Sequence, residues 1–395
     1  MKNCACIAEY NPLHTGHLRL ISHIRDTLKA ERLIVVMSGD FCERGENAVM
    51  DKYTRAKHAV YAGADIVIEL PAVFATANAE IFATGAMKIV KSLGVADAIS
   101  FGVESGDAQT YRRAAAAMLN ETKEFKQVLK RELETGVSLA RAKFNAVKAL
   151  NLPDLDEALV SSPNNILALE YAKAAIKLGA NVELFPFLRE NAHNDPVLRK
   201  SVTSAQSIRL QLAEGNKRKI KKYLPKFVYA DLPETPPDFR VPVTAALMRS
   251  TAKELAQITD CTEGLENRIK ALLKDNPEYD ALLEKVSTKR YTQARVRRIF
   301  LANFLAIDED LVMRCLKSDL YIKVLAMRAD AAPLLAEIKA NAKVPLLTRK
   351  ADYRALEKTA LECFEKDALA NDLFNLVSRG KQNEYYTLIV PAAEK

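Results

Sequence analysis

Ile7-Ala8-Glu9-Tyr10-Asn11-Pro12-Leu13-His14-Thr15-Gly16-His17-Leu18 is the stretch from which the rest of this chain is read. Residues 3–8 are small and apolar, as in a short buried strand, and Asn11-Pro12 breaks that strand into a turn. From His17 onward, Leu18, Ile21, Ile24 and Leu28 recur at helical spacing. The segment therefore reads as strand, tight loop, helix, with His14 and His17 at the helix mouth. Free backbone N–H groups and the positive end of the helix dipole gather there and suit a phosphate. Gly16 lacks a Cβ and lets a phosphate approach the backbone. Two imidazoles can donate hydrogen bonds to a phosphate as its charge grows, which is the requirement of a reaction at the α-phosphate of ATP. A lone histidine near a helix start is more often a cap, so the strand–loop–helix context carries this reading.

The flanking sequence repeats the alternation. Leu33–Met37 reads as a buried strand, followed by the polar loop Ser38–Glu46; Asp51 caps a helix that closes near Gly63. Asp65–Pro71 reads as a strand buried on both faces. A helix over about 77–92 closes at Gly94, and Ala98–Gly102 is a fourth strand. Residues 108–150 are helical, and Ser162-Pro163 opens another helix that ends at Gly179. Val182–Phe187 is a fifth strand, whose Pro186 suits a sheet edge. Five strands joined by helical crossovers predict an α/β fold, a Rossmann-like parallel sheet with helices on both faces. Ligands bind such sheets at the carboxyl ends of the strands. From about Glu214 strand-like runs become scarce, a Pro-rich stretch spans Leu232–Pro242, and helical patterns follow at 252–258, 265–273 and 294–306. The expected division is a nucleotide-binding catalytic domain over residues 1–213 and a mainly helical, basic domain over 214–395.

Hydrophobic content of 49% and charged content of 27% are those of a soluble globular chain, and no apolar run reaches the length of a membrane span. The apolar start is short and leads straight into the proposed site, so no signal peptide is expected. The six cysteines form no C-x-x-C pair, which points to a reduced, cytoplasmic protein without a zinc site or disulfide framework. The net charge of +8 suits a polyanion such as RNA.

Other candidates follow strand ends. Asp40 can hold substrate or Mg²⁺, or cap a turn. Lys52 and Arg55, three apart at a helix start, can clamp phosphates or lie on a solvated face. Gly102 would admit adenine or ribose, or serve as a turn glycine. Asn164 and Asn165 can bond the nucleotide or cap their helix, and Arg189 can reach a phosphate or lie at the surface. Two basic clusters lie outside the predicted sheet: Lys217, Arg218, Lys219, Lys221 and Lys222, and Lys289, Arg290, Arg295, Arg297 and Arg298 with Tyr291 interleaved. They can contact phosphates, with Tyr291 stacking on an unpaired base, or merely solvate two faces.

His14-Thr15-Gly16-His17 resembles the HxGH signature of the nucleotidyltransferase superfamily, relatives of class I aminoacyl-tRNA synthetases. Ser204-Ala205-Gln206-Ser207-Ile208-Arg209 resembles the superfamily's S-S-T-x-I-R phosphate signature at Ser204, Ile208 and Arg209, but Ala205 and Gln206 depart from it. Glu9–Pro12, Met37–Phe41, Asp51–Arg55, Gly63–Asp65 with Ile68–Pro71, Phe101–Glu104 and Ser162–Ala168, in this order, resemble the bacterial tRNA(Met) cytidine acetate ligase family. Lys289–Thr292 with Arg295 and Arg298 extends the likeness more loosely. That resemblance implies two steps: ATP and acetate give acetyl-adenylate, and the wobble cytidine N4 of elongator tRNA(Met) then takes the acetyl group. It implies an ATP site of Ile7, Ala8, Glu9, Tyr10, Asn11, Pro12, Leu13, His14, Thr15, Gly16, His17, Leu18, Arg19, Leu20, Gly102, Asn164 and Arg189. Catalytic roles fall to His14, His17, Asp40, Lys52 and Arg55, and tRNA contacts to Lys217, Arg218, Lys219, Arg290, Arg295 and Arg298. ATP as substrate, Mg²⁺ with it, tRNA and acetate are the expected partners; membrane, DNA and a resident protein-bound metal are not. The competing readings are a small-molecule adenylyltransferase and a non-catalytic ATP- or RNA-binding protein.

Overall fold

The strands form where the apolar runs are. In chain order they are β1 Asn3–Ala8, β2 Arg32–Ser38, β3 Phe41–Cys42, β4 Glu46–Asn47, β5 Ile66–Leu70, β6 Ala98–Val103, β7 Glu183–Leu188, β8 Ile322–Arg328, β9 Leu346–Leu347 and β10 Leu388–Val390. The structure, a computed structural model, describes residues 1–120, 122–137, 139–149, 157–189 and 204–391. Seven strands lie in the order β10-β8-β5-β2-β1-β6-β7, with β9 beside β8 and β3-β4 a separate hairpin. The five expected strands, β5-β2-β1-β6-β7, pair in parallel throughout. Both faces are buried, as the near-continuous apolar runs require. Along β2, Leu33, Val35 and Met37 pack with Ile21, Ile24, Tyr53 and Val60. Ile34 and Val36 pack on the other face with Ala83, Met87 and Leu169. This alternation is the two-residue period of a strand between two helical layers.

Several local expectations hold. Asp51 accepts from Thr54 N at 2.9 Å and caps Lys52–Tyr61. Gly94 and Gly179 end their helices in the left-handed conformation. Pro186 lies on the edge strand. Others are corrected. The first helix runs Thr15–Ser22 and passes into a wide π turn over His23–Thr27. Pro163 opens its helix, but the Ser162 side chain makes no cap; the Glu104 carboxylate accepts from Asn165 N at 3.2 Å instead. Within the Pro-rich stretch a helix already begins at Arg240, with Pro242 in its first turn, where a missing N–H costs nothing.

The main addition comes from the helical second half. β8 pairs antiparallel with β5, and β10 pairs parallel with β8, so residues 322–328 and 388–390 complete the sheet. Without them β5 would be an open edge, apolar but for Glu69 and prone to pairing with another chain. The sequence signal of β8 is weak, because the segment is short and carries Lys323, a charge in a run buried over Ile322–Met327.

Candidate active site

The chain enters the sheet at its centre: β2 and β5 extend it to one side of β1, β6 and β7 to the other. The order reverses between β1 and β6, and a crevice opens outside the carboxyl ends of strands at such a point. A cavity of about 310 Å³ lies there, lined by Ile7, Ala8 and Glu9 from the end of β1, Phe101 and Gly102 from β6, and Phe187 and Arg189 from the end of β7. Its other walls come from Tyr10, Asn11, Gly16, His17 and Leu20, the helix start Pro163–Leu167 with Tyr171, the turn Glu43-Arg44, and Ala205, Gln206 and Arg209.

The histidines meet as the sequence predicts. Gly16 N donates to His14 Nδ1 at 3.0 Å and His14 N donates to His17 Nδ1 at 3.2 Å, a reciprocal cap of the helix Thr15–Ser22. With both Nδ1 atoms accepting, each neutral ring carries its proton on Nε2 and is a donor there. The rings lie 4.0 Å apart, and Tyr10 meets His17 edge-on at 5.0 Å. His14 is buried, and burial, with the nearby Arg189 and Arg209 charges, lowers its pKa to about 3, so it stays neutral. His17 faces the cavity; His14 stands behind it. Gly16 is explained locally: a Cβ there would come within 2.7 Å of the His14 ring, so the glycine makes room for the cap itself.

Arg189 and Arg209 supply the positive charge. Arg189 crosses β6 above Gly102, where a Cβ would meet its Cδ at 3.0 Å; Gly102 therefore admits the arginine to the cavity. Arg209 Nη1 donates to Asn11 O at 3.0 Å, and Asn11 Oδ1 accepts from Val49 N at 2.9 Å, which anchors the loop after β1. Ser204 caps Ala205–Ala213 through Ser207 N at 3.1 Å, so the divergent phosphate signature still brings its helix start and Arg209 to the cavity. Arg209 is marked in the sequence by the phosphate signature, whereas Arg44 and Glu43 are marked only by their place in the loop after a strand end.

Asn164 lines the cavity and donates to Glu104 Oε1 at 2.6 Å. Asn165 is fully buried and holds the Glu104–Ser105 turn: its Oδ1 accepts from Glu104 N at 2.8 Å and from Tyr111 Oη at 2.9 Å. It is a structural staple. Of the expected ATP residues, Pro12, Leu13, His14, Thr15, Leu18 and Arg19 do not line the cavity.

Asp40, Lys52 and Arg55 do not line it either, and the expected phosphate clamp is not formed. All three are buried. Arg55 gives its donors to the carbonyls of Met50 at 2.9 Å, Glu9 at 2.6 Å, Ser38 at 3.2 Å and Gly39. It ties the ends of β1 and β2 together from beneath. Lys52 Nζ lies 2.7 Å from Glu69 and 2.6 Å from Glu384, and Lys323 Nζ lies 2.9 Å from Glu69 and also contacts Glu384. Burial opposes the Lys52 charge, but Glu384 and Glu69 more than offset it and hold its pKa well above the ordinary lysine value. Asp40 accepts from Lys52 N at 2.7 Å, and burial pushes its pKa up to about 7. The helix start is therefore internal: Glu69 and Glu384 enclose Lys52, and the carbonyls at the ends of β1 and β2 enclose Arg55.

The basic clusters divide. Lys217 is held by Leu232 O at 2.6 Å and Glu234 at 2.8 Å, while Arg218 and Lys219 are exposed. Arg290, 67% exposed, pairs with Glu263 through two hydrogen bonds of 2.8 and 2.6 Å. Arg295 donates to Asp260 O at 2.6 Å and lies over the Tyr291 ring at 5.2 Å. Arg298 turns inward to Glu43 at 3.3 Å, and Arg297 to Glu46 at 2.7 Å. Among the described residues no group of three or more His, Cys, Asp or Glu is arranged to hold a metal ion, and no helix is long and apolar enough to cross a membrane.

A parallel sheet with a histidine-capped helix mouth and an arginine-lined crevice at its switch point is the architecture of a nucleotidyltransferase, and the family model described as HIGH Nucleotidyl Transferase matches residues 1–387. The tRNA(Met) cytidine acetate ligase of Thermoanaerobacter sp. (strain X514) is 36% identical over 382 residues, 94% of each chain. That of Acetivibrio thermocellus is 33% identical over 397 residues, 95% of this chain and 94% of its own. The chain belongs to the tRNA(Met) cytidine acetate ligase family. The crystal structure of Thermotoga maritima TmcAL in its apo form superposes with a TM-score of 0.92 at 28% identity, covering 99% of this chain and all of that one. The form bound with alpha-thio ATP gives 0.90 at the same identity and coverage.

Proposed function

We propose that this chain is an ATP-dependent ligase that activates acetate as acetyl-adenylate and transfers the acetyl group to N4 of the wobble cytidine of elongator tRNA(Met). The observation that carries the adenylation step is the neutral His14–His17 pair at a helix mouth facing a cavity with Arg44, Arg189 and Arg209 in its walls. Family membership and the alpha-thio ATP complex of the Thermotoga maritima relative support the nucleotide and the acceptor.

Acetate is a poor acyl donor because oxide leaves badly; adenylation makes AMP the leaving group. An acetate oxygen attacks the α-phosphorus and pyrophosphate departs. His17 Nε2–H donates to the charge that grows on the α-phosphate, and His14 fixes the helix mouth through its cap to Gly16. Arg44, Arg189 and Arg209 balance the polyphosphate charge. Phe101, Leu167 and Tyr171 offer an apolar wall for a flat base, and enclosure of the crevice keeps water from the mixed anhydride. No group of carboxylates among the described residues is arranged to hold a metal, so Mg²⁺ would enter with the polyphosphate and supply further charge neutralisation there.

Residues 1–213 form the adenylating part and 214–395 the tRNA-docking part, which also lends β8 and β10 to the sheet. Lys217, Arg218, Lys219, Arg290 and Arg295 are its tRNA-facing charges; Arg298 is reassigned to the hairpin that carries Glu43. A cytoplasmic location follows from the tRNA substrate. The test is mass spectrometry of tRNA(Met) after incubation with the protein, ATP and isotope-labelled acetate. One labelled acetyl group on a single cytidine is expected, together with acetate-dependent pyrophosphate release. Unlabelled tRNA and no acetate-dependent pyrophosphate would overturn the assignment.

A further inference from the structure

We propose that Glu43 is the general base of the acetyl-transfer step, taking a proton from the cytidine N4 amine as that nitrogen attacks the acetyl carbonyl. This rests on the function proposed above and assigns it a catalytic residue.

Glu43 is the first turn residue of the β3–β4 hairpin and lines the cavity. The hairpin is pressed against the basic helix Gln293–Phe304. Gly45 is in the left-handed conformation, and a Cβ on it would lie 2.5 Å from the backbone of Arg297 and Arg298. Arg297 holds Glu46 at 2.7 Å, and Arg298 Nη1 donates to Glu43 Oε1 at 3.3 Å. Glu43 N donates to Glu9 Oε1 at 2.8 Å, which fixes the backbone of the turn. One carboxylate oxygen of Glu43 is thus oriented by a cation, and the other has no hydrogen-bond partner among the described residues. Glu43 therefore stands between the nucleotide cavity and the basic helix.

Glu43 is the carboxylate of the cavity wall that is paired with the basic helix; Glu9 has no such ion pair among the described residues. His17 Nδ1 accepts from His14 N, which leaves its Nε2 as a donor. Glu9 Oε1 is taken by Glu43 N. Burial raises the Cys6 thiol to about 12, far from a neutral-pH base.

The chemistry distinguishes the two steps. Acetate attacks ATP without losing a proton, so adenylation needs no base. The cytidine amine is a weak nucleophile, its lone pair delocalised into the ring. As its N–C bond forms, the nitrogen becomes acidic. Glu43 accepts that proton, the tetrahedral centre collapses, the C–O bond to phosphate breaks and AMP departs with the electron pair. The proton then leaves Glu43 for solvent. Facing Glu43 are Arg298 from the basic helix, Arg44 and Glu46 from its own hairpin, Glu9 from the end of β1 and Tyr171 from the helix Pro163–Leu178. Burial raises the Glu43 pKa, and Glu9 and Glu46 add to the rise while Arg298 and Arg44 oppose it; the net shift is upward, toward the working pH of a base.

The test uses the full-length protein, ATP, acetate and tRNA(Met), and reads the two steps separately. Adenylation is followed by acetate-dependent ATP–pyrophosphate exchange. Transfer is followed in a single turnover from preformed enzyme-bound acetyl-adenylate mixed with tRNA. In Glu43→Gln, transfer should fall about 10²-fold, at least tenfold more than adenylation. The acidic limb of the transfer pH profile should vanish. Glu43→Asp should recover part of the rate and keep the limb, and Arg298→Gln should move the limb to higher pH. Transfer in Glu43→Gln at the wild-type rate, or a loss of adenylation as large as the loss of transfer, overturns the proposal. Failure of the wild-type protein to form acetyl-adenylate would instead overturn the function on which it rests.

Discussion

Two polar centres lie at the same end of the sheet and behave in opposite ways. One is the cavity, with His17, Arg44, Glu43 and Arg189 in its walls. In the cluster of Lys52, Lys323, Glu69 and Glu384, two cations and two carboxylates satisfy one another with almost no exposure. Both draw on charged residues at strand ends and helix starts, the positions that sequence marks as functional. Access decides between them. A charge buried among protein partners away from any cavity cannot meet a substrate, whereas one in a cavity wall can.

The sharpest way to break this comparison is Lys323→Ala. It leaves two buried carboxylates with one cation, which costs about 3–5 kcal/mol. The denaturant midpoint should drop accordingly, while adenylation per folded molecule stays within a few-fold of wild type. A selective loss of adenylation in a stable variant would place the cluster in the chemistry. His17→Ala is the converse. Removing one donor to the transition-state charge should slow acetate-dependent pyrophosphate release by about 10²-fold, with a much smaller change in the denaturant midpoint. Near-wild-type release would remove the histidine from the adenylation step.

Gly102→Ala sharpens the cavity side. The methyl group displaces Arg189 and should weaken ATP binding by roughly tenfold, the worth of one hydrogen bond to a charged group. Isothermal titration with a non-hydrolysable ATP analogue measures it, and an unchanged affinity would show that Arg189 reaches no phosphate. The smallest effect is expected at Asp40. Its folded pKa of about 7 lies above the ordinary aspartate value, so its contribution to stability is full below that ordinary value and is lost as pH rises through 7. Asparagine at this position keeps the acceptor for Lys52 N and does not titrate. The stability of Asp40→Asn relative to wild type should therefore improve between pH 5 and pH 8, as followed by urea unfolding. A difference independent of pH would show that Asp40 is ionised across that range.

The sequence by itself determined the parts of this protein that depend on local pattern. Near-continuous apolar runs ended by turn residues defined the five parallel strands, because a strand covered on both faces can carry little else. Asn11-Pro12 followed by His14-Thr15-Gly16-His17 marked the capped helix mouth at the cavity, because a helix mouth needs its N–H groups satisfied within a few residues. Tertiary structure alone decided which charges face the substrate. Lys52 and Arg55 share a helix turn in any fold, but Arg55 turns onto the carbonyls at the ends of β1 and β2, and only Glu384 and the β8 residue Lys323, more than 250 residues further along the chain, enclose Lys52 in its cluster. Arg298 reads as one of a basic run until the hairpin at residues 41–47 docks against its helix and gives it Glu43 as partner. Local pattern reports the chain's own period and caps. Whether a charge is free depends on burial and pairing by segments distant in sequence, and those contacts exist only once the chain has closed on itself.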